Sequence, residues 1–267
     1  MGDPVRVRRI RHSDCFQVVD GHHRIALAID AGLTDLDVAI EGGTTTTPVQ
    51  DLVSSLRWTA GRRELYQPIN APELESEWTL VRRCNDRLEM MTTFLEEQGL
   101  SSRGRTYLDV GACYGWYVAE MSRRGFGAHG VELDPNAIRL GRHAYGFEPD
   151  AITAAECSEF LRGVDRRFDV VSCFSVLHHF ALGAGACSAE ELGGLLDRAT
   201  GEVLFFDTGQ AHEAWFHDLL PAWNSEYIVE WLRCHTTFKR VVALGTDNDA
   251  VPPYEHNYGR TLFACTR

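Results

Sequence analysis

The segment from residue 107 to residue 135 combines two carboxylates with a glycine-containing loop, a pattern typical of a ligand-binding site. Its sequence, YLDVGACYGWYVAEMSRRGFGAHGVELDP, places Asp109 just before Gly111, and Glu132 at the end of the second apolar run. Gly111 and Gly115 permit a tight turn and a close approach of the backbone to a ligand. An acidic residue placed like Glu132 accepts hydrogen bonds from ribose hydroxyls in dinucleotide folds. These residues therefore predict a ribose-bearing cofactor.

The glycine spacing separates two classes of cofactor. A dinucleotide fingerprint starting at Gly111 would need glycine at positions 113 and 116, where the chain has Cys113 and Trp116. A pyrophosphate would lose its closest backbone approach there, which disfavours a dehydrogenase. Asp109 at the end of the preceding apolar run favours a ligand with positive charge. S-adenosylmethionine (SAM) carries a sulfonium and an ammonium and no phosphate, so it fits this pattern.

The elements around this segment alternate between strands and helices. We predict strands at 107–110, 128–132, about 150–154, 168–174 and 202–206, and helices at 81–98, 115–124, 135–143, 157–162 and 188–199. This alternation implies an α/β fold with a Rossmann-like, seven-stranded, mostly parallel sheet and helices on both faces. Two final strands, 238–244 and 260–266, are predicted to form an antiparallel pair at the sheet edge. The aromatic-rich segment 211–233 before them is predicted to be helical.

A small unit is predicted in front of this fold. Residues 1–62 are expected to form a small α+β N-terminal segment, and residues 63–267 the main domain. The segment is interpreted as a short strand, a turn at Asp20-Gly21, a helix over about 23–31, and a second strand before a Gly/Thr tract.

Three motifs resemble the successive motifs of class I SAM-dependent methyltransferases. They are LDVGACYG (108–115), GVELDP (130–135) and FDVVSCFSVLHHF (168–180), and the likeness spans about residues 81 to 267. The resemblance implies a methyltransferase with SAM as its cofactor. The commonest version of the first motif has glycine where this chain has Cys113. The implied cofactor contacts are Asp109, Gly111 and Gly115 for the methionine part, Glu132 for the ribose, Glu156 and Cys157 beside the adenine, Phe174 and Ser175 after the fourth strand, and the neighbouring Ala112, Cys113 and Leu133.

A narrower resemblance is to the methyltransferase domain of the bacterial O-antigen chain-terminating kinase/methyltransferases, which methylate a glycan-linked phosphate. The segments that carry it are ELYQPI (64–69), RRCNDRLEMM (82–91), FSVLHHF (174–180) and PPYEHNYGRTLFACT (252–266). This resemblance implies that Tyr66 and Arg83 cap the cofactor from the N-terminal side.

The N-terminal segment carries a separate likeness. The sequence VVDGHHRIALAIDAG (18–32) resembles the core of ParB-like domains, in which a Gly-x-His-Arg turn opens a helix. The resemblance implies phosphate or nucleotide chemistry at Gly21, His22, His23 and Arg24. The alternative is a structural segment that packs on the methyltransferase body or mediates dimerisation, so a homodimer is an open option.

His178 and His179 are the candidate catalytic residues, because they follow the fourth strand where an acceptor must reach the cofactor. An imidazole with an ordinary pKa of about 6.5 can take the proton of an acceptor hydroxyl near neutral pH. Adjacent residues point in different directions, so we expect one of the two to face the substrate. The alternative is loop packing for both. Spacing places no third ligand beside them, and no metal is predicted.

Charge and composition restrict the partners. The formal net charge of −12 argues against binding to nucleic acid or an anionic membrane. No apolar run approaches the roughly 18 residues of a membrane helix, which leads us to expect a cytoplasmic protein. The eight cysteines are scattered without a C-x-x-C pair, so reduced thiols are expected.

Together these features predict a SAM-dependent O-methyltransferase for a small-molecule or glycan acceptor of bacterial natural-product or surface-polysaccharide metabolism. Two alternatives are a SAM-binding regulatory or scaffold protein that uses the ParB-like segment, and an RNA or protein methyltransferase. Aromatic residues of 211–233 suit an acceptor pocket, but the helical spacing of Trp215, Phe216, Leu219 and Leu220 is more typical of core.

Overall fold

A computed structural model describes residues 3–59, 61–100 and 102–267, and the chain divides into two compact units. The N-terminal unit comprises Met1–Glu64 and Ile69–Thr79. The C-terminal unit comprises Leu65–Pro68 and Leu80–Arg267.

A three-stranded sheet and a helix form the first part of the N-terminal unit. Strand β1 (Val5–Ile10) is central, with β2 (Phe16–Asp20) antiparallel on one side and β3 (Val38–Thr45) parallel on the other. Helix α1 (His22–Asp30) follows Gly21, whose φ is 100°. The sequence patterns did not predict β1. Strand β3 also continues into the Gly/Thr tract that we expected to follow it, because pairing with β1 supplies hydrogen bonds that sequence periodicity does not reveal.

Residues 69–79, which we expected in the second domain, belong to the N-terminal unit. Helix α2 (Pro48–Ser54) begins with a capping box in which Thr47 and Gln50 bond each other's backbone N–H groups. The same two side chains hold Glu73: the Thr47 hydroxyl donates to its carboxylate (2.9 Å) and the Gln50 amide donates to its carbonyl (3.3 Å). The chain passes between the units at two short strands, β4 (Glu64–Leu65) and β5 (Thr79–Leu80), and a 3-10 turn covers Pro72–Leu74.

The C-terminal unit contains a seven-stranded sheet of order β11-β12-β10-β9-β6-β7-β8. Its strands are β6 (Thr106–Val110), β7 (Gly127–Glu132), β8 (Ile152–Ala154), β9 (Phe168–Cys173), β10 (Thr200–Phe206), β11 (Arg240–Thr246) and β12 (Thr261–Thr266). Six strands run in the same direction, and β12 alone is antiparallel, between β10 and β11. This confirms the mostly parallel, Rossmann-like sheet and the antiparallel pair at one edge. The chain leaves β6 for β7 on one side and later returns to β9 on the other, so β6 marks the position where ligands bind in such sheets.

Helices connect and cover these strands. They are α3 (Asn85–Glu97), α4 (Trp116–Arg123), α5 (Pro135–Tyr145), α6 (Cys157–Gly163), α7 (Leu177–Ala181), α8 (Ala189–Ala199) and α9 (Ser225–His235), with a 3-10 turn at Glu255–Asn257. The expectation of one helix over 211–233 was wrong: residues 211–224 form turns, and α9 begins only after Asn224, whose side chain accepts the N–H of Tyr227 (2.8 Å). Within the described residues, no helix is long and apolar enough to span a membrane.

Apolar layers cover both faces of the sheet. Trp231 of α9 and Leu192 of α8 belong to one layer, and Leu88 and Met91 of α3 belong to the other. The core interpretation of the aromatic segment is confirmed for its buried members, Phe216, Leu220, Trp223 and Trp231, whereas Trp215 and Leu219 are exposed. Turns rather than one continuous helix carry residues 215–220, so helical spacing does not decide which of them are buried.

Candidate active site

The loop between β6 and α4 is a tight turn at the carboxyl edge of the sheet. Gly111, Cys113 and Gly115 have φ values of 77°, 54° and 85°, in the left-handed region. A side chain at Gly111 would overlap the Val176 side chain, and the backbone N–H groups of Gly111 and Ala112 both donate to the Val131 carbonyl (3.0 Å each). Glycine is therefore required at position 111 by space as well as by conformation.

Gln67 holds this loop and is a residue that the sequence analysis missed. Its buried amide oxygen accepts the backbone N–H of Tyr114 (3.1 Å) and of Trp116 (3.2 Å), and its amide nitrogen donates to the Ala112 carbonyl (3.3 Å). The side chain thus replaces three backbone partners that a loop of this shape lacks. The ELYQPI motif contains Gln67, but no local pattern reveals a bond across so many residues.

Asp109 lies at the end of β6, and only one of its two carboxylate oxygens has a hydrogen-bond partner among the described residues. The residue is 2% exposed, and its Oδ1 accepts the Ser172 hydroxyl (2.6 Å). No described group bonds its Oδ2. Burial raises the pKa of Asp109 to about 7, against the Ser172 hydrogen bond and the nearby Arg87 charge. A buried carboxylate with one open oxygen fits a cationic ligand group.

Glu132 ends β7 and faces the same loop. Its Oε2 accepts the N–H of Cys113 (2.8 Å) and its Oε1 accepts the N–H of Asp134 (2.8 Å). Burial raises the pKa of Glu132, although these backbone hydrogen bonds oppose the shift. Each carboxylate oxygen can accept a second hydrogen bond, so a ribose diol fits beside it. The next residue, Leu133, is 54% exposed at this edge.

Glu156 and Cys157 begin α6, after β8. The Glu156 carboxylate caps this helix by accepting the N–H of Glu159 (2.9 Å) and the hydroxyl of Ser158 (2.5 Å). Partial burial opposes ionisation, but these hydrogen bonds together lower the pKa of Glu156. The Cys157 thiol donates to Glu156 (3.4 Å). The Glu156 side chain is therefore occupied by the helix terminus.

Ser175 follows β9 in a left-handed conformation, with a φ of 61°. Its hydroxyl oxygen accepts from Arg260 (2.6 Å) and from Arg82 (3.1 Å), and its N–H donates to Asp207 (2.8 Å). Its neighbour Phe174 is buried. Two guanidinium groups thus converge on one hydroxyl where β9 ends.

These two arginines belong to a buried charge network that sequence reasoning missed. Arg82 pairs with Asp247 (2.6 Å), Arg87 with Asp207 (2.9 Å) and Asp249 (3.3 Å), and Arg260 with Glu213 through two bonds of 2.8 Å. All seven residues are at most 2% exposed. Burial opposes ionisation of Asp207, but Arg87, with Arg82 and Arg260, lowers its pKa. Pairing keeps all of these charges in the interior.

Arg83, predicted to cap the cofactor, is exposed, whereas its neighbour Arg82 is fully buried. The other capping candidate, Tyr66, places its ring 6.4 Å from that of Tyr258, and the Tyr258 ring lies under the guanidinium of Arg82 (4.5 Å). Sequence motifs do not distinguish these adjacent arginines, because the direction of each side chain depends on the folded structure.

His178 and His179 both lie in α7 and differ in environment. His178 is 5% exposed, and its Nδ1 accepts the N–H of Gly209 (3.1 Å). Burial, with the nearby Arg260 and His179, lowers the pKa of His178 to about 2. His179 is exposed, and desolvation and Arg260 lower its pKa as well. Both rings are therefore neutral near pH 7, but the Nδ1 lone pair of His178 is already bonded.

Part of this chain matches a known protein family. Residues 82–183 match the family model of a methyltransferase domain. This part of the chain is therefore similar to methyltransferases. SAM is the cofactor that this similarity supports, and Asp109, two residues before Gly111, has a carboxylate oxygen without a partner among the described residues that fits the ammonium of that molecule.

One curated relative and one solved protein extend the comparison. The chain is 32% identical over 132 residues to a ubiquinone biosynthesis O-methyltransferase of Alkalilimnicola ehrlichii, a match that covers 48% of this chain and 51% of the relative. The chain therefore spans about half the length of that relative. Two structures of the bifunctional kinase-methyltransferase WbdD align with TM-scores of 0.62 and 0.61, at 19% and 20% identity, covering 82% of this chain and 46% of theirs. This likeness shows a shared fold.

Proposed function

We propose that this protein is a SAM-dependent O-methyltransferase that acts on a small-molecule or glycan acceptor. The observation that carries the proposal is the buried Asp109, which precedes Gly111 by two residues and has one carboxylate oxygen without a partner among the described residues, so that a cationic group would complete its bonding. The curated relative, an O-methyltransferase by name, supports oxygen as the methylated atom.

The roles that we assign to the cofactor-binding residues follow from their chemistry. When bound, SAM supplies an electrophilic methyl group on a sulfonium. Asp109 binds the ammonium, the loop of Gly111, Ala112, Cys113 and Gly115 encloses the methionine part, and Glu132 accepts the ribose hydroxyls. Leu133, Glu156 and Cys157 border the adenine side, and Tyr66, Arg83, Phe174 and Ser175 enclose the remainder. The contribution of these residues is alignment and exclusion of water.

We assign proton removal from an acceptor hydroxyl to His179 rather than to His178. The Nδ1 of His178 accepts the Gly209 N–H (3.1 Å), which leaves the proton of the neutral ring on Nε2, a donor position. His179 is exposed and its pKa is lowered, so it is neutral at pH 7 with a ring nitrogen able to accept a proton. His178 then acts as a positioning residue that fixes the turn after β10.

Two buried polar side chains support an acceptor that forms hydrogen bonds. Thr208 and Gln210 follow β10 and are 0% and 2% exposed. Within the described part of the chain, nothing bonds the Thr208 hydroxyl or the Gln210 amide nitrogen. A buried donor without a partner costs about 1–3 kcal/mol, which a hydroxyl-bearing acceptor would recover.

Calorimetric titration with S-adenosylhomocysteine tests the cofactor assignment. We expect Asp109→Asn to weaken binding at least tenfold, because it removes the charge that faces the ammonium. The matched control is Asp218→Asn, since the Asp218 side chain is 95% exposed. Equal affinity of the wild type and the Asp109 variant would overturn the assigned role of Asp109.

A turnover assay then tests the acceptor class. Release of S-adenosylhomocysteine from SAM is measured with phenols, sugar hydroxyls, carboxylates and phosphate monoesters. We expect hydroxyl acceptors to react, and His179→Gln to lower kcat more than KM and to remove the acidic limb of the pH profile. Cofactor binding without turnover on any of these acceptors would instead favour a SAM-binding regulatory protein.

A further inference from the structure

Helix α1 of the N-terminal unit has no buried residue, although its centre is IALAI. Isolated helices of this length are marginal in water, so a short helix depends on packing of its apolar face. Six large aliphatic side chains on α1, the following loop and the start of β3 are exposed by 42–69%. They are Leu27, Ile29, Leu33, Leu36, Val38 and Ile40, which we call the α1 patch.

The α1 patch continues the core of its own sheet. Val38 and Ile40 of β3 lie in register with Val5 and Val7 of β1, so these four side chains share one face of the sheet. Val5 and Val7 are 2% and 5% exposed, whereas Val38 and Ile40 are 42% and 52% exposed. The apolar side chains of this face are buried on the central strand and exposed to solvent on the edge strand. Such an exposed apolar patch is typical of an interaction surface.

Helix α1 carries opposite charges at equal distances on the two sides of Leu27. One alanine lies on each side of Leu27, at positions 26 and 28. Arg24, whose guanidinium also donates to Asp20 of its own chain (3.2 Å), lies three residues before it and Asp30 three residues after it, and the next Lys, Arg or His along the chain is Arg57. An antiparallel helix from a second copy, crossing at Leu27, would place Arg24 of each copy opposite Asp30 of the other.

We propose that two copies of this chain associate through antiparallel packing of their α1 helices, with Leu27 on the two-fold axis. The arrangement is isologous, since each copy offers the same surface and both ends pair opposite charges. Antiparallel helix dipoles also attract. Leu33, Leu36, Val38 and Ile40 extend the apolar contact.

Sedimentation of the full chain over a range of concentrations is the first test. We expect the wild type to shift from monomer to dimer with increasing concentration, and Leu27→Asp to remain monomeric. The control is Leu219→Asp, which changes an aliphatic side chain of similar exposure (60%) in the C-terminal unit and should dimerise normally. A wild type that is monomeric throughout, or equal loss of dimer in both variants, would overturn the proposal.

A charge exchange tests the antiparallel geometry. Arg24→Glu and Asp30→Arg should each weaken self-association, because like charges then face each other at both ends of the helix pair. A mixture of the two variants should dimerise again: the introduced carboxylate of the first meets the introduced guanidinium of the second at one end, and the unchanged Asp30 and Arg24 meet at the other. Failure of the mixture to recover, with α1 intact by circular dichroism, would rule out this pairing. S-adenosylhomocysteine binding should be unchanged in all variants, which separates this result from the proposed function.

Discussion

Gly141 of α5 lies so close to the loop after β6 that a β-carbon on it would overlap the carbonyl oxygen of Tyr114. The contact is with backbone, so no side-chain rotation can relieve it. Tyr114 lies within the turn that Gln67 holds, between Cys113 and Gly115. The helix and the cofactor loop therefore fit together only when position 141 has no side chain.

Substitution Gly141→Ala should consequently displace the loop. We expect a loss of stability of about 2 kcal/mol or more from overpacking and at least a tenfold weaker S-adenosylhomocysteine affinity. The control is Gly194→Ala in α8, where a β-carbon meets nothing within 4 Å. Alanine there should stabilise the protein by about 0.5–1 kcal/mol through helix propensity. Chemical denaturation and calorimetry measure both effects, and equal stability of the two variants would contradict the packing argument.

Asp109→Asn should stabilise the ligand-free protein at high pH. Burial raises the pKa of Asp109 from 3.8 to about 7 in the folded state, so the folded protein holds a proton that the unfolded chain releases between those values. Stability therefore falls as pH rises through this window, by up to about 4 kcal/mol. An asparagine avoids the buried charge but leaves an amide to be satisfied, so we expect a gain on the order of 2 kcal/mol at pH 8.

The comparison of pH 8 with pH 4 provides the control for Asp109. At pH 4 the wild-type carboxyl is protonated in the folded state and close to half protonated in the unfolded chain, so most of the advantage of the variant should disappear. Chemical denaturation at both pH values measures the difference. An effect of the same size at both would show that charge is not its cause.

His178→Asn should reduce the acid sensitivity of the protein. The pKa of His178 falls from 6.5 to about 2 on folding, so below pH 6.5 the unfolded chain binds a proton that the folded state excludes. The free energy of unfolding therefore decreases by up to about 1.4 kcal/mol for each pH unit by which the pH falls. Asparagine offers an oxygen in place of Nδ1 for the Gly209 N–H and does not titrate. We expect a shallower loss of unfolding free energy between pH 6.5 and pH 4.5, whereas His217→Asn, at an exposed position, should follow the wild type.

Arg87→Ala should be among the most destabilising substitutions. It leaves the buried carboxylates of Asp207 and Asp249 without their partner, which we expect to cost about 3–5 kcal/mol. Arg162→Ala removes an arginine whose side chain is 44% exposed and whose partner, Glu191, is 50% exposed. That control should change the free energy of unfolding little, because solvent screens an exposed ion pair. Denaturation midpoints at pH 7 distinguish the two, and similar values would contradict a stabilising role for the buried network.

The sequence predicted the alternating strands and helices, and the position of Asp109, Gly111 and Glu132 at the carboxyl edge of the sheet. It succeeded there because each of these features is local: apolar periodicity marks a strand or helix, and a glycine marks a turn. The same reasoning failed over residues 211–224, where aromatic residues at helical spacing form turns. The cap at Asn224 and packing against the sheet decide that region.

Tertiary structure alone decided which charged and polar groups meet. Arg82 rather than Arg83 reaches Ser175, Gln67 bonds the loop after β6, and Asp249 caps α3 from more than a hundred and fifty residues away. The pKa difference between His178 and His179 arises in the same way, from burial and the Gly209 contact. Secondary structure follows from neighbours in sequence, whereas burial and ion pairing depend on residues that come together only when the sheet is assembled.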